Sequence, residues 1–210
     1  MTELHQPLVQ PADGQRNAAV SFSLRNRLVR VVWQIVWALF AAWTPPPLHA
    51  WRGFLLRSFG ARIGRGTRIY GTAIVWLPAN LDVGDGSIIG PRVRVYNQGR
   101  ITIGTNTVVS QGAHLCASTH DYESPNFQLV LRPIVIGNDA WVAAEAFVGP
   151  GVTIGDGAVL AARGVAVRDI EPWSVAGGNP AKQIRMREVP CRDGAQTGPA
   201  KAAPHRQDGA

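Results

Sequence analysis

The chain has 210 residues, 46% of them hydrophobic, and a formal net charge of +7. That length and apolar content suit one domain with a real core, and the two cysteines, Cys116 and Cys191, do not make a disulfide framework. The excess positive charge comes without a recognition module, which argues against a nucleic-acid partner.

Residues 1–22 are polar, have no cleavable apolar core, and are expected to be disordered; with the lone cysteines this fits a cytoplasmic protein. Between Gln15 and Leu81 there is no Asp or Glu, but there are arginines throughout, among them Arg25, Arg27, Arg30, Arg52 and Arg57. Inside this basic block Val31 to Trp43 is apolar except for Gln34, too short to span a bilayer, which takes about 20 residues. The pattern predicts a helix, a TPPPL break and a second helix from Leu48 to Phe59, together a helical cap over residues 23–60. Trp33, Trp37, Trp43 and Trp51 beside arginines also suit contact with an anionic membrane surface.

From Ile63 onward aliphatic residues return every six positions. Ile63, Ile69, Val75 and Leu81 open the series; Val83, Ile89, Val95 and Ile101 follow, then Ile103, Val109 and Leu115, and then Ile136, Val142, Val148, Ile154 and Leu160. Neither a helix (about 3.6) nor a strand (2) has this period. It predicts a parallel β-helix over 61–187, each hexapeptide forming one flat side of a triangular coil. Ile63, Val83 and Ile103 are 20 apart and Ile136 and Ile154 are 18 apart, so the early coils carry two extra residues at one corner. The turns IGRG, VGDG, IGTN, IGND and IGDG put Gly, Asn or Asp where a corner needs unusual backbone angles. A tail over 188–210, rich in Gly, Ala, Pro and Gln, is expected to be disordered.

The rhythm breaks once. Ile103 and Ile136 are 33 apart, so residues 121–135 are expected to leave the prism as a loop. Loops thrown from a rigid scaffold are where catalytic groups concentrate. His120 stands where the excursion begins, at a corner position directed away from the core. A histidine with an ordinary pKa near 6.5 can accept a proton at neutral pH, so His120 is the candidate general base.

Several stretches now point one way: VYNQGRITIG, LCASTHDYESPNFQLVLRPIVIGNDAWVAAEAFVGPGVTIG and the closing SVAGGNPAKQIR. Together with the helix pair ending in WRGFLLRSFGARIG, they make the chain resemble the hexapeptide-repeat acyltransferases, over roughly Leu24 to Arg187. The resemblance is to the colanic-acid-biosynthesis type of O-acetyltransferase, a relative of the maltose, galactoside and nodulation-factor acetyltransferases. It implies a left-handed β-helix, a homotrimer with active sites between subunits, and acetyl-CoA as acyl donor to a sugar hydroxyl. It implies His120 as base, acting without a covalent enzyme intermediate. It also implies a coenzyme groove of Trp141, Ala144, Ala162, Val167 and Arg168, with Lys182 and Arg185 meeting the adenosine phosphates. Val167 and Arg168 stand where the family often has Thr-Lys or Val-Lys.

Other assignments rest on position alone. Asp121, Glu145 or a backbone carbonyl is expected to orient His120. Tyr96 and Asn97, one coil below, are candidates to bind the acceptor, and Tyr122 and Phe127 to stack on a sugar or anchor the loop. A γ-class zinc carbonic anhydrase needs three converging histidines, and the repeat region holds only His114 and His120, so no metal is expected. A membrane-associated scaffold without turnover is the non-enzymatic alternative.

Overall fold

A computed structural model describes residues 22–125 and 127–188. The two expectations of disorder, 1–22 and 188–210, lie outside the described residues except at Phe22 and Glu188. Phe22 packs its ring on Trp76, 4.8 Å between centroids.

From Arg62 the chain winds as a triangular parallel β-helix. The first face stacks strands at 62–63, 81–83, 101–103, 134–136 and 153–154. The second stacks 68–69, 88–89, 108–109, 141–142, 159–160 and 174–177, closed by the antiparallel strand Lys182–Met186. The third stacks 74–75, 94–96, 114–116, 147–148 and 165–166. The register follows the expected steps: Ile63 pairs with Val83, Val83 with Ile103, Ile103 with Ile136, and Ile136 with Ile154.

The six-residue series points inward. Every one of its members is buried except Ile63, which packs half-buried against the same core. Between the first and second faces the first five coils turn on the IGxG-type motif. The fourth residue of each, Gly66, Gly86, Asn106, Asp139 and Gly157, is left-handed, with φ between 52° and 69°, a region that favours Gly and admits Asn and Asp. The glycine at the motif's second position is demanded by stacking: a Cβ on Gly104 would lie 2.6 Å from the carbonyl carbon of Gly137. Hydroxyls fill the inner side of this corner. Ser87 Oγ donates to the Gly104 carbonyl and Thr107 Oγ1 to that of Gly137, both at 2.6 Å.

The N-terminal end of the prism leaves carbonyls with no preceding coil to answer them, and helices α1 (Leu24–Phe40) and α2 (His49–Ser58) supply the donors. Trp33 Nε1 donates to the Val75 carbonyl at 2.8 Å and Trp37 Nε1 to Gly71 at 3.0 Å. Arg57 reaches the Ile63 carbonyl at 3.2 Å. Arg52, 0% exposed, donates to the Ile69 carbonyl at 2.6 Å and to the carbonyls of Thr44, Pro45 and Pro46. Burial lowers its pKa, yet a guanidinium stays charged at neutral pH. The predicted cap is therefore built from the same Trp and Arg residues that make this block basic and aromatic.

The corner between the third and first faces is irregular. It holds a short 3-10 turn, Pro78–Asn80, in the first coil and the excursion in the third. The excursion is a β-hairpin: Ser118–His120 pairs antiparallel with Leu129–Leu131. The expected loop of 121–135 is thus bounded differently. The hairpin starts three residues earlier, and Ile134 and Val135 are already back in the ladder, opposite Ile101 and Thr102.

Candidate active site

His120 ends the outgoing strand of the hairpin, opposite Leu129, with its ring exposed. Its Nδ1 lies 2.9 Å from the Phe127 carbonyl oxygen, and the Phe127 ring stacks on the imidazole, centroids 4.8 Å apart and planes 12° apart. A carbonyl only accepts, so Nδ1 must carry the hydrogen, and Nε2 is left with its lone pair. The local fold thereby selects the tautomer with a basic nitrogen at the ring's outer end. Of the three expected orienting groups, the backbone carbonyl is the one in place. Asp121 instead accepts from the backbone N–H groups of Glu123 and Ser124 with its Oδ1, closing the hairpin tip. Glu145 is bound to Arg163, Oε2 to Nε 2.6 Å. Phe127, left-handed at φ 46°, is the neighbour that sequence reasoning did not assign to the ring; its place in the excursion was the only signal.

One coil below, the two acceptor-binding candidates part company. Tyr96 is exposed, and its hydroxyl accepts from Gln98 Nε2 at 2.9 Å, which leaves its own hydrogen free to donate outward. Asn97 is 0% exposed, and its amide clamps Leu77, accepting from the backbone N–H at 3.1 Å and donating to the carbonyl at 2.6 Å. It binds the corner of the preceding coil, so it is not available to an acceptor. Tyr122 is exposed at the hairpin tip.

The expected coenzyme residues divide between edges of the prism. Trp141 lies on the second face, 47% exposed, its Nε1 donating to Ser110 Oγ at 2.9 Å. Ala144 and Ala162 occupy successive coils at the corner between the second and third faces. They are stacked through Arg163 N–H donating to the Ala144 carbonyl at 2.9 Å. Lys182 and Arg185 lie exposed on the terminal strand of the second face. Val167 and Arg168 are exposed at the third-to-first corner, the edge that carries His120. One copy of the chain therefore places the base on one edge and Trp141, Ala144 and Ala162 along another.

His114 and Cys116 lie on the third face, in the strand leading to the hairpin. His114 is half-buried, edge-on to Tyr96 and to Phe147, and burial, with a smaller contribution from Arg94, lowers its pKa from 6.5. Cys116 Sγ points to the Ser118 carbonyl at 3.4 Å. Cys191 lies outside the described residues. Among the described residues no group of three His, Cys, Asp or Glu side chains is placed to hold a metal ion.

Comparison with known proteins agrees with this architecture. Residues 133–165 match the family described as bacterial transferase hexapeptide (six repeats). An Escherichia coli (strain K12) protein provisionally named colanic acid biosynthesis acetyltransferase WcaF is 44% identical over 162 residues, 77% of this chain and 89% of that protein. Galactoside O-acetyltransferase of the same strain is 28% identical over 145 residues, 68% of this chain and 70% of its own length. Among solved structures, the hexapeptide-repeat acetyltransferase VCA0836 of Vibrio cholerae O1 biovar eltor, complexed with acetyl-coenzyme A, superposes with a TM-score of 0.72 at 24% identity. The match covers 80% of this chain and 91% of that one. The chain shares the left-handed parallel β-helix of such structures.

Proposed function

The chain belongs to the bacterial hexapeptide-repeat transferases, and from that premise we propose that it transfers the acetyl group of acetyl-CoA to a hydroxyl of a sugar, as part of an exopolysaccharide unit or its lipid-linked precursor. The observation that carries the reading is the imidazole of His120, tied through Nδ1 to the Phe127 carbonyl on a hairpin thrown off an otherwise rigid prism. In this mechanism Nε2 takes the proton of the acceptor hydroxyl. The oxygen forms its bond to the acetyl carbon as the C–S bond breaks, and the proton passes to the departing thiolate. No side chain is acylated. Such a positioned base contributes about 10²–10⁴-fold, and the stacked Phe127 ring limits its rotation.

Trp141, Ala144 and Ala162 line the coenzyme in this reading, with Val167 and Arg168 as further contacts. Lys182 and Arg185 are the exposed cations for its phosphates. Tyr96 remains the acceptor-side donor; Asn97 does not. Since His120 and the Trp141 edge are on different corners, a complete site needs the edge of a second copy, which supports a homotrimer with a site at each junction. Work at the cytoplasmic face of a membrane fits a lipid-linked acceptor; among the described residues no helix is long and apolar enough to cross one.

The test is acceptor profiling with labelled acetyl-CoA against nucleotide sugars and lipid-linked oligosaccharides. Mixing His120→Ala with Trp141→Ala subunits should restore part of the activity that each lacks alone. No transfer to any hydroxylated acceptor would leave the scaffold reading, and absence of complementation would refute a shared site.

A further inference from the structure

Helix α1 carries two apolar faces, and the cap uses only one. At about 100° per residue, Asn26, Trp33, Trp37 and Ala41 fall together and are buried against the end of the prism. Leu24, Leu28, Val31, Ile35 and Leu39 fall on the opposite side. They are 80%, 66%, 52%, 54% and 58% exposed. Leu28, Ile35 and Leu39 thus stand in water on a helix whose structural work is done by the other face. The segment after the helix continues the surface: Trp43 is 73% exposed, and in α2 the exposed Trp51 and Phe54 stack at 5.6 Å. So extended an apolar surface on the outside of a fold marks an interaction site.

We propose that this outer face of α1, with Trp43, Trp51 and Phe54, is where the protein docks on an anionic lipid bilayer, helix axis in the plane of the membrane. Charge selects this occupant. Residues 22–81 contain no Asp, Glu or Lys and eight arginines, of which Arg52 is buried in the cap, and on the helix Arg25 and Arg27 fall on either flank of the outward stripe. A bilayer with negative headgroups meets that pattern with opposite charge. A second copy related by a two-fold axis would set the same arginines against each other. The tryptophans are ready for acyl surroundings. Trp43 Nε1 already donates to the Leu39 carbonyl at 2.7 Å, and Trp51 Nε1 to that of Phe40 at 2.8 Å. Inserting either ring would leave no unpaired donor in the apolar phase. At about 1.5 Å per residue the 17-residue α1 is about 25 Å long, and its buried face stays with the prism, so it lies on the membrane and does not cross it.

The proposal rests on the acetyl-transfer reading only for the lipid-linked class of acceptor it favours. Its test therefore uses neither donor nor acceptor. The full chain is sedimented with vesicles of phosphatidylglycerol and phosphatidylcholine, and with vesicles of phosphatidylcholine alone. Binding is expected to the anionic vesicles, at least tenfold weaker to the neutral ones, and weaker as salt rises, with a blue shift of tryptophan emission. Leu28→Glu with Ile35→Glu should abolish it. The milder pair Leu28→Ser with Ile35→Ser should weaken it about tenfold while leaving the melting curve unchanged. Failure of the wild type to bind anionic vesicles overturns the proposal, as does binding indifferent to both pairs. If either pair instead lowers the protein's mass in sedimentation equilibrium, the face is covered by another copy and the bilayer is the wrong occupant. Acetyl transfer to a soluble acceptor, measured on the same variants, reports separately on the enzyme reading.

Discussion

The first-to-second corner and the third-to-first corner belong to the same prism but tolerate very different sequences. At the former five coils turn on the same motif, with a left-handed fourth residue from Gly66 to Gly157, and the hydroxyls of Thr67, Ser87 and Thr107 fill the inner side of the first three. At the latter the chain makes a 3-10 turn, then a buried Asn97 clamp, then the hairpin with His120. Stacking explains the contrast. Where coils lie directly on one another, a single added Cβ meets backbone; where two extra residues lift the corner, the chain can project. In the proposed reading the base stands on the lifted corner, while the stacked one serves stability.

The largest effect that tests this division is on turnover. His120→Ala should lower kcat by about 10²–10⁴-fold with the melting temperature unchanged, since the ring is exposed and its partner is a backbone carbonyl. A drop in melting temperature of several degrees would make His120 a structural residue and break the comparison. The capped end of the prism should respond in the opposite sense. Arg52→Met removes the guanidinium's donation to the carbonyls of Ile69, Thr44, Pro45 and Pro46, although that of Pro45 still accepts from the Leu48 N–H and that of Ile69 still lies 2.9 Å from His49 Nδ1. An unsatisfied buried acceptor costs about 1–3 kcal/mol, but Pro45 and Pro46 are exposed and water can answer their carbonyls, so a net loss of about 2 kcal/mol is expected in denaturant unfolding. Arg52→Lys should fall between, because a single ammonium cannot reach all four oxygens. Full stability in Arg52→Met would mean that the cap holds by its tryptophans alone.

Gly104→Ala probes the stacked corner itself. The new Cβ would sit 2.6 Å from the backbone of Gly137, and only separation of the two coils relieves it. Overpacking of this kind costs about 1–3 kcal/mol. The same methyl introduced at Gly151, where the nearest atoms are side-chain carbons of Arg132 at 3.5 Å, meets space but a φ of 78°. It should cost less, through backbone strain alone. Equal losses at the two sites would show that stacking is not what restricts the regular corner.

The division also decides what could be read in the sequence. The ladder was legible because burial repeats: Val83, Ile103 and Ile136 pair at the expected 20 and 33 residue steps, and each sits at the same place in its coil. The left-handed turns were legible because only a few residue types accept them. The lifted corner has no repeat, so its contents were read less well. The return of Ile134 to the ladder was missed because strand pairing, not spacing, ends the excursion. Asn97 looked like a polar group facing a ligand, yet its neighbour Leu77 lies 20 residues away, and the clamp depends on which coils stack. The partner of His120 was left open for the same reason: a backbone carbonyl has no signature in side chains. That the Trp141 edge and the His120 edge are separate corners follows from the winding, which the hexapeptides imply but do not spell out.

The finest test compares the two histidines, His120 at the lifted corner and His114 on the stacked third face. His114 is held neutral, its pKa pushed below 6.5 chiefly by burial between Tyr96 and Phe147. Above 6.5 the imidazole is neutral in both folded and unfolded chains, and the stability it favours is fully present. As the pH falls below 6.5 the unfolded chain binds the proton first, so stability is lost down to the lowered folded value and no further beyond it. The melting temperature of the wild type should therefore dip across that window, by a small amount because His114 is only half-buried. In His114→Phe, which keeps an edge-on ring in the column, that part of the dip should vanish. In His120→Ala it should persist, since removing an exposed ring leaves the buried one untouched. A dip that followed His120 and ignored His114 would reverse the roles assigned to the two histidines.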